Sequence, residues 1–129
     1  MATDELVVVD LQPGPEWVEL VNRLWLEEVP FLPLDHRLSD RERRAIVDRA
    51  RPHFVRDAGG ETLLADAEPV APGVAIVMPT SGTAGMPKLV ELHRVAVVVA
   101  VSRSAKRLGA TPGAPYLKFQ GRIGTFEAR

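Results

Sequence analysis

At 129 residues the chain is long enough for one small domain and too short for two of ordinary size. Its 17 acidic and 16 basic residues leave a net charge of −1, which gives no reason to expect a nucleic-acid partner. A mean hydropathy of zero fits a folded globular chain, and the absence of cysteine excludes disulfides, thiolate metal sites and cysteine nucleophiles.

The start is acidic, with Asp4 and Glu5 ahead of a short apolar run, so no secretory signal is expected. The longest apolar run, Val95 to Val101, is far short of a membrane span, and the cytoplasm is the expected compartment. Leu6 to Val9 form the first strand-like run, ended by Asp10 and broken by Gln12-Pro13-Gly14-Pro15. From Glu16 the period changes. Trp17, Leu20, Val21, Leu24 and Trp25 recur at helical spacing, and Pro15 suits the first turn, where its missing N–H is not needed. Both tryptophans are expected in the core.

Val29 to Leu32 read as a short strand limited by prolines, followed by a loop through Leu38. Ser39-Asp40-Arg41-Glu42 is a capping box that opens a helix to about Arg51, stopped by Pro52. Arg41, Arg43 and Arg44 alternate with acids there and read as a solvated face. His53 to Val55 form another short strand, Gly59-Gly60 a turn, and Val74 to Met78 a buried strand. Lys88 to Leu92 are strand-like, and Arg94 to Leu108 form a helix ended by Gly109. The alternation predicts an α/β fold, a layered parallel-type sheet with flanking helices.

Charge changes along the chain. Residues 1–35 hold eight acids and one base, residues 36–68 seven of each, and residues 69–129 two acids and eight bases. A basic second half could suit an anionic ligand such as a phosphate, but on charge alone two halves of opposite charge lying side by side is the preferred explanation. Within that half, Thr80-Ser81-Gly82-Thr83-Ala84-Gly85-Met86-Pro87-Lys88 gathers hydroxyls, glycines and a lysine after a buried strand. Glycines let backbone N–H groups converge on an anion, hydroxyls donate to phosphate oxygens, and lysine adds a mobile charge. By composition alone the segment reads as a plain turn, since Ser, Thr and Gly are common turn residues.

The segment resembles the phosphate loop of the adenylate-forming superfamily, whose pattern is Thr/Ser-Ser-Gly-Thr-Thr/Ser-Gly-x-Pro-Lys. Only Ala84 departs from it, standing where the family has a hydroxyl. Leu89-Val90-Glu91-Leu92-His93 looks like the family's continuation, and Phe31-Leu32-Pro33-Leu34-Asp35 with the capped helix resembles an upstream unit. The likeness is nearest to acid–CoA ligases of the o-succinylbenzoate type and covers residues 6 to about 109. It implies a partial AMP-binding domain over 1–109, with the phosphate loop at 80–88, and a divergent tail over 110–129. By that resemblance Thr80, Ser81, Gly82, Thr83, Gly85 and Lys88 bind ATP, with Mg2+ and CoA as further requirements and a carboxylic acid as substrate. In the family, the carboxylate attacks the ATP α-phosphorus, pyrophosphate leaves, and the CoA thiol then displaces AMP.

Family members are several times longer, and their adenine, magnesium, ribose and catalytic-lysine motifs have no counterpart here. The chain therefore reads as an N-terminal portion of such a ligase, inactive alone. The alternatives are a non-catalytic nucleotide- or phosphate-binding module and a subunit completed by another chain. His36, His53 and His93 lack metal-ligand spacing, Asp35 beside His36 reads as a solvated loop pair, and Ser81 has no base at motif spacing. A cut sheet is expected to self-associate. The competing expectation is that Tyr116, Leu117, Phe119, Ile123 and Phe126 of the tail fold back over it.

Overall fold

The computed structural model describes residues 4–80 and 87–107. They form strands β1 (Val7–Asp10), β2 (Phe31–Pro33), β3 (Phe54–Asp57), β4 (Gly60–Leu63), β5 (Val74–Thr80) and β6 (Lys88–His93). The helices are α1 (Pro15–Leu26), α2 (Asp40–Ala50) and α3 (Arg94–Arg107). The strands join in one six-stranded sheet of order β4-β3-β1-β2-β5-β6. Its inner strands β3, β1, β2 and β5 are parallel, as an α/β alternation requires. The two edges run the other way, because β3–β4 and β5–β6 are hairpins. The fold is therefore α/β with a mixed sheet.

Side-chain alternation assigns each face its helices. Val7, Val9, Phe31, Ile76 and Met78 meet Trp17, Leu20, Val21 and Leu24 of α1 and Val97 of α3. Leu6, Val8, Leu32, Leu34 and Val77 meet Ile46 of α2 on the opposite face. β1 is apolar on both faces, as a strand covered by two helix layers must be. In β5 the alternation slips: Ala75 and Ile76 both face the α1 side, and the β5–β6 register shifts between Val74 and Ile76. An extra residue in one strand of an antiparallel pair makes such a β-bulge.

The helix ends follow from local chemistry. α1 starts with Pro15 and closes in a Schellman arrangement, with Glu28 N–H donating to Trp25 O and Val29 N–H to Leu24 O. Glu28 occupies the left-handed position, φ 57°, usually held by glycine. In α2 the expected capping box is present: Glu42 N–H donates to Ser39 Oγ at 3.2 Å, and Ser39 N–H to Glu42 Oε2 at 2.8 Å. Its C-cap, Arg51, is left-handed, and the Arg51 guanidinium binds Glu68 Oε1 at 2.6 Å and Asp66 O at 3.0 Å, holding the β4–β5 connection. α3 packs over β5 and β6. Arg94, at its start, lies 4.1 Å over the Trp25 ring and 3.8 Å from Glu28, tying α3 to the end of α1.

Trp17 is buried in the core as expected, and Trp25 is half-buried against it. β4 is an element the sequence pattern did not reveal, a short polar strand following the Gly59-Gly60 turn. Leu108 and Gly109, and with them the expected end of the last helix, lie outside the described residues. Among the described residues no helix is long and apolar enough to cross a membrane. Ser39→Ala removes one half of the capping box and is expected to lower stability by about 1 kcal/mol in urea denaturation.

Candidate functional site

Parallel strands bring their carboxyl ends to one edge of the sheet, where ligands bind in open α/β folds. Asp10 ends β1, Asp35 and His36 follow β2, and Thr80 ends β5. The loop after Thr80 returns as β6, which starts at Lys88. Thr80 and Lys88 are directly paired, and Thr80 Oγ1 donates to Lys88 O at 3.3 Å. The neck of the loop is thus closed by ladder and side chain together. Thr80 and Lys88 are exposed, and among the described residues Lys88 has no ion-pair partner. Ser81, Gly82, Thr83, Ala84 and Gly85 lie outside the described residues.

Pairing fixes the direction in which the neck faces. Ile76 pairs with Leu92 and Met78 with Val90, and Ile76, Met78 and Leu92 belong to the α1/α3 face. Two residues on, Thr80 and Lys88 share that side of the pleat. A groove of about 330 Å³ lies on the opposite face, lined by Leu6, Val77 and Leu89 with Arg49, Glu68 and Glu91 among its polar residues. Neither Thr80 nor Lys88 lines it.

Among the described residues, Asp10 and Asp35 at this edge are both paired with arginines. Arg43 reaches from α2 to the Asp10 carboxylate and also donates to Leu38 O at 3.2 Å and His36 O at 2.8 Å. The sequence pattern put Arg43 on a solvated face with Arg41 and Arg44. Those two are exposed, but Arg43 turns inward, its side chain 20% exposed. The missed signal was Asp10 itself, an acid at the end of an otherwise apolar strand that needs a counter-charge.

Asp35 does not form the acid–base pair that its neighbour suggests. Arg37 grips it through Nη2 at 2.8 Å, Nε at 3.1 Å and its backbone N–H at 2.9 Å, while His36 Nδ1 stands 3.6 Å away. The Arg37 side-chain hydrogen bonds, then the backbone one, lower the Asp35 pKa from 3.8 to about 2. A carboxylate so held stays ionised and is a poor proton acceptor at neutral pH.

Fit to the implied groups is uneven. Among the described residues no three His, Asp or Glu side chains converge as a metal site, and Asp10 and Asp35 are committed to arginines. The exposed Lys88 beside the loop fits a phosphate.

Neither a family model nor a curated protein matches the chain in sequence. Solved structures do match in fold. The o-succinylbenzoate CoA synthetase MenE from Bacillus subtilis, solved with AMP, superposes with a TM-score of 0.68 at 24% identity, over 86% of this chain and 35% of that one. The long-chain-fatty-acid-CoA ligase FadD1 from Archaeoglobus fulgidus gives 0.66 at 19% identity, over 86% of this chain and 29% of that one. AB3403, a four-domain nonribosomal peptide synthetase bound to AMP and glycine, gives 0.67 at 18% identity, over 86% and 10%. The chain has the fold of the N-terminal domain of adenylate-forming enzymes. It spans about a third of the length of the CoA synthetase, and less of the other two.

The Arg37 grip sets a pH dependence. The folded-state pKa of Asp35 lies below its ordinary value, so the grip stabilises above pH 3.8 and is lost as pH falls toward 2. In Arg37→Ala, the Asp35 carboxyl titration followed by NMR is expected to rise by about a unit or more.

Proposed function

We propose that this chain is the N-terminal portion of an AMP-dependent acid–CoA ligase and that Thr80 to Lys88 hold the phosphates of ATP for acyl-adenylate formation. The observation that carries the reading is the hairpin neck at Thr80 and Lys88, set at the carboxyl edge of a sheet whose fold is shared with CoA ligases. Thr80 fixes the neck, Ser81, Thr83 and the amides around Gly82 and Gly85 donate to phosphate oxygens, and Lys88 neutralises their charge. Among the described residues none is a candidate for CoA. Magnesium, when bound, would screen the phosphate charge, and MenE has been solved with ATP and a magnesium ion. Residues 1–109 would form the partial nucleotide-binding domain and 110–129 a divergent tail. The cytoplasm, which supplies both ATP and CoA, is the compartment this reading assigns.

Binding phosphates is only one part of the reaction. Catalysis also requires a carboxylate aligned with the α-phosphorus, and no described residue is placed to orient it. A second reading is a non-catalytic phosphate-binding module or a subunit completed by another chain. Pyrophosphate exchange separates these readings, because a binder takes up ATP without exchanging it.

Titration calorimetry is expected to detect weak binding of ATP or pyrophosphate. Lys88→Ala should reduce it about tenfold, the effect of losing one charge-assisted contact, and Ala84→Thr should tighten it slightly. Equal affinity in the wild type and Lys88→Ala removes Lys88 from the site.

The purified chain is expected to show no carboxylate-dependent pyrophosphate exchange over a panel of small acids with ATP. Measured exchange would mean that a complete active site is present.

A further inference from the structure

Arg37 lies in the turn after β2 with its side chain 74% exposed, yet it is held at three nitrogens. Its backbone N–H and Nε donate to Asp35 Oδ1, and its Nη2 donates to Oδ2. The turn itself is closed by Leu38 N–H donating to Asp35 O at 3.1 Å. From α2, Arg43 donates to His36 O and Leu38 O, on either side of Arg37. A surface arginine ordinarily samples many rotamers, and an exposed ion pair contributes little toward ordering one. Here the guanidinium is ordered, and its remaining nitrogen, Nη1, has no partner among the described residues.

Strand register sets where that guanidinium stands. β2 and β5 are parallel, with Phe31 opposite Ile76. Leu34 N–H donates to Val9 O at 2.9 Å, so β2 stays extended beyond Pro33. Counting four residues on from Phe31 and Ile76 brings Asp35 level with Thr80. Phe31 belongs to the α1/α3 face and Leu32 and Leu34 to the α2 face, so alternation returns Asp35 to the face of Phe31. Thr80 and Lys88 emerge on that same face. Neighbouring strands lie about 4.8 Å apart, which puts the Asp35 level about 5 Å from Thr80 and about 10 Å from Lys88. Arg37, fastened to Asp35, and Lys88 therefore flank Thr80 from two sides. Arg43 is engaged elsewhere, on Asp10.

We propose that Arg37 is a second phosphate-binding residue, its Nη1 N–H groups donating to the polyphosphate held at Thr80 and Lys88. The inference rests on the nucleotide reading of that neck and adds a cation on the side of β2. The two cations differ in kind: lysine is a mobile point charge, whereas a guanidinium fixed at two nitrogens offers the third in a set direction. Asp35 is then a positioning residue, which sets the plane of the guanidinium and touches no phosphate.

Arg37→Ala is expected to weaken binding of inorganic pyrophosphate about tenfold in titration calorimetry, the loss of one charge-assisted contact. That variant also bares the Asp35 carboxylate, whose repulsion alone would weaken an anion. Asp35→Asn and the double variant Asp35→Asn/Arg37→Ala separate the two effects. With the carboxylate gone, removing Arg37 should still cost about tenfold. Arg44→Ala deletes the same charge from an exposed position of α2 and should leave binding nearly unchanged. Far-UV spectra of all the variants should match that of the unaltered chain. The proposal is overturned if the double variant binds pyrophosphate as tightly as Asp35→Asn, or if Arg44→Ala loses as much as Arg37→Ala. Loss in Lys88→Ala with none in Arg37→Ala overturns it and leaves the nucleotide reading standing. Absence of pyrophosphate binding by the unaltered chain overturns both.

Discussion

The structure depends on burying β1 on both faces at once. A strand of only four residues cannot hold helices on two sides by backbone pairing alone. Val7 and Val9 anchor α1 while Leu6 and Val8 anchor α2, so each added residue changes the face being served. β2 repeats the device with Phe31 and Leu32, both fully buried. Fully burying such a side chain contributes about 1.5–3 kcal/mol, whereas one exposed surface ion pair contributes about 1 kcal/mol at most. The apolar centre therefore decides the architecture, and charged groups are confined to its rim.

At that rim, neighbouring loops leave in opposite directions. The chain after β1 turns toward α1, and the chain after β2 turns toward α2, opening a crevice between the two strand ends. In this protein the crevice is occupied by its own side chains. Arg43 joins Asp10 to the carbonyls of the loop after β2, and Arg37 fixes Asp35 within that loop. The place where many α/β folds receive a ligand is thus held by arginine–carboxylate pairs, while Thr80 and Lys88 stand exposed at the same edge.

Features that depend on neighbouring residues were legible in the sequence. The helical period from Trp17 to Trp25, the Ser39–Glu42 box and the two-faced apolar runs each depend on side chains a few positions apart, and each is present. Features that depend on distant partners were not. β4 is Gly-Glu-Thr-Leu, with no apolar alternation, and is a strand only because it pairs with β3. Nothing in Lys88 to His93 says whether the strand is parallel or antiparallel; the short return from Thr80 decides it. Arg43 read as one of several surface arginines because its partner is 33 positions away in sequence. The phosphate-loop reading rests on residue order alone, since hydroxyls and glycines at a turn have several meanings.

The extra residue at Ala75 acts as a half-turn of a screw in β5. Strict alternation from Val74 onward would point Thr80, and Lys88 paired with it, toward the α2 side, where the 330 Å³ groove lies. With the bulge they emerge on the α1/α3 side instead. The choice of which side of the sheet presents the loop's lysine is therefore made five residues upstream of Thr80, in a stretch with no polar side chain. A family of chains sharing the loop residue for residue would differ in presentation by the gain or loss of that one alanine, so two identical loops need not be equivalent sites.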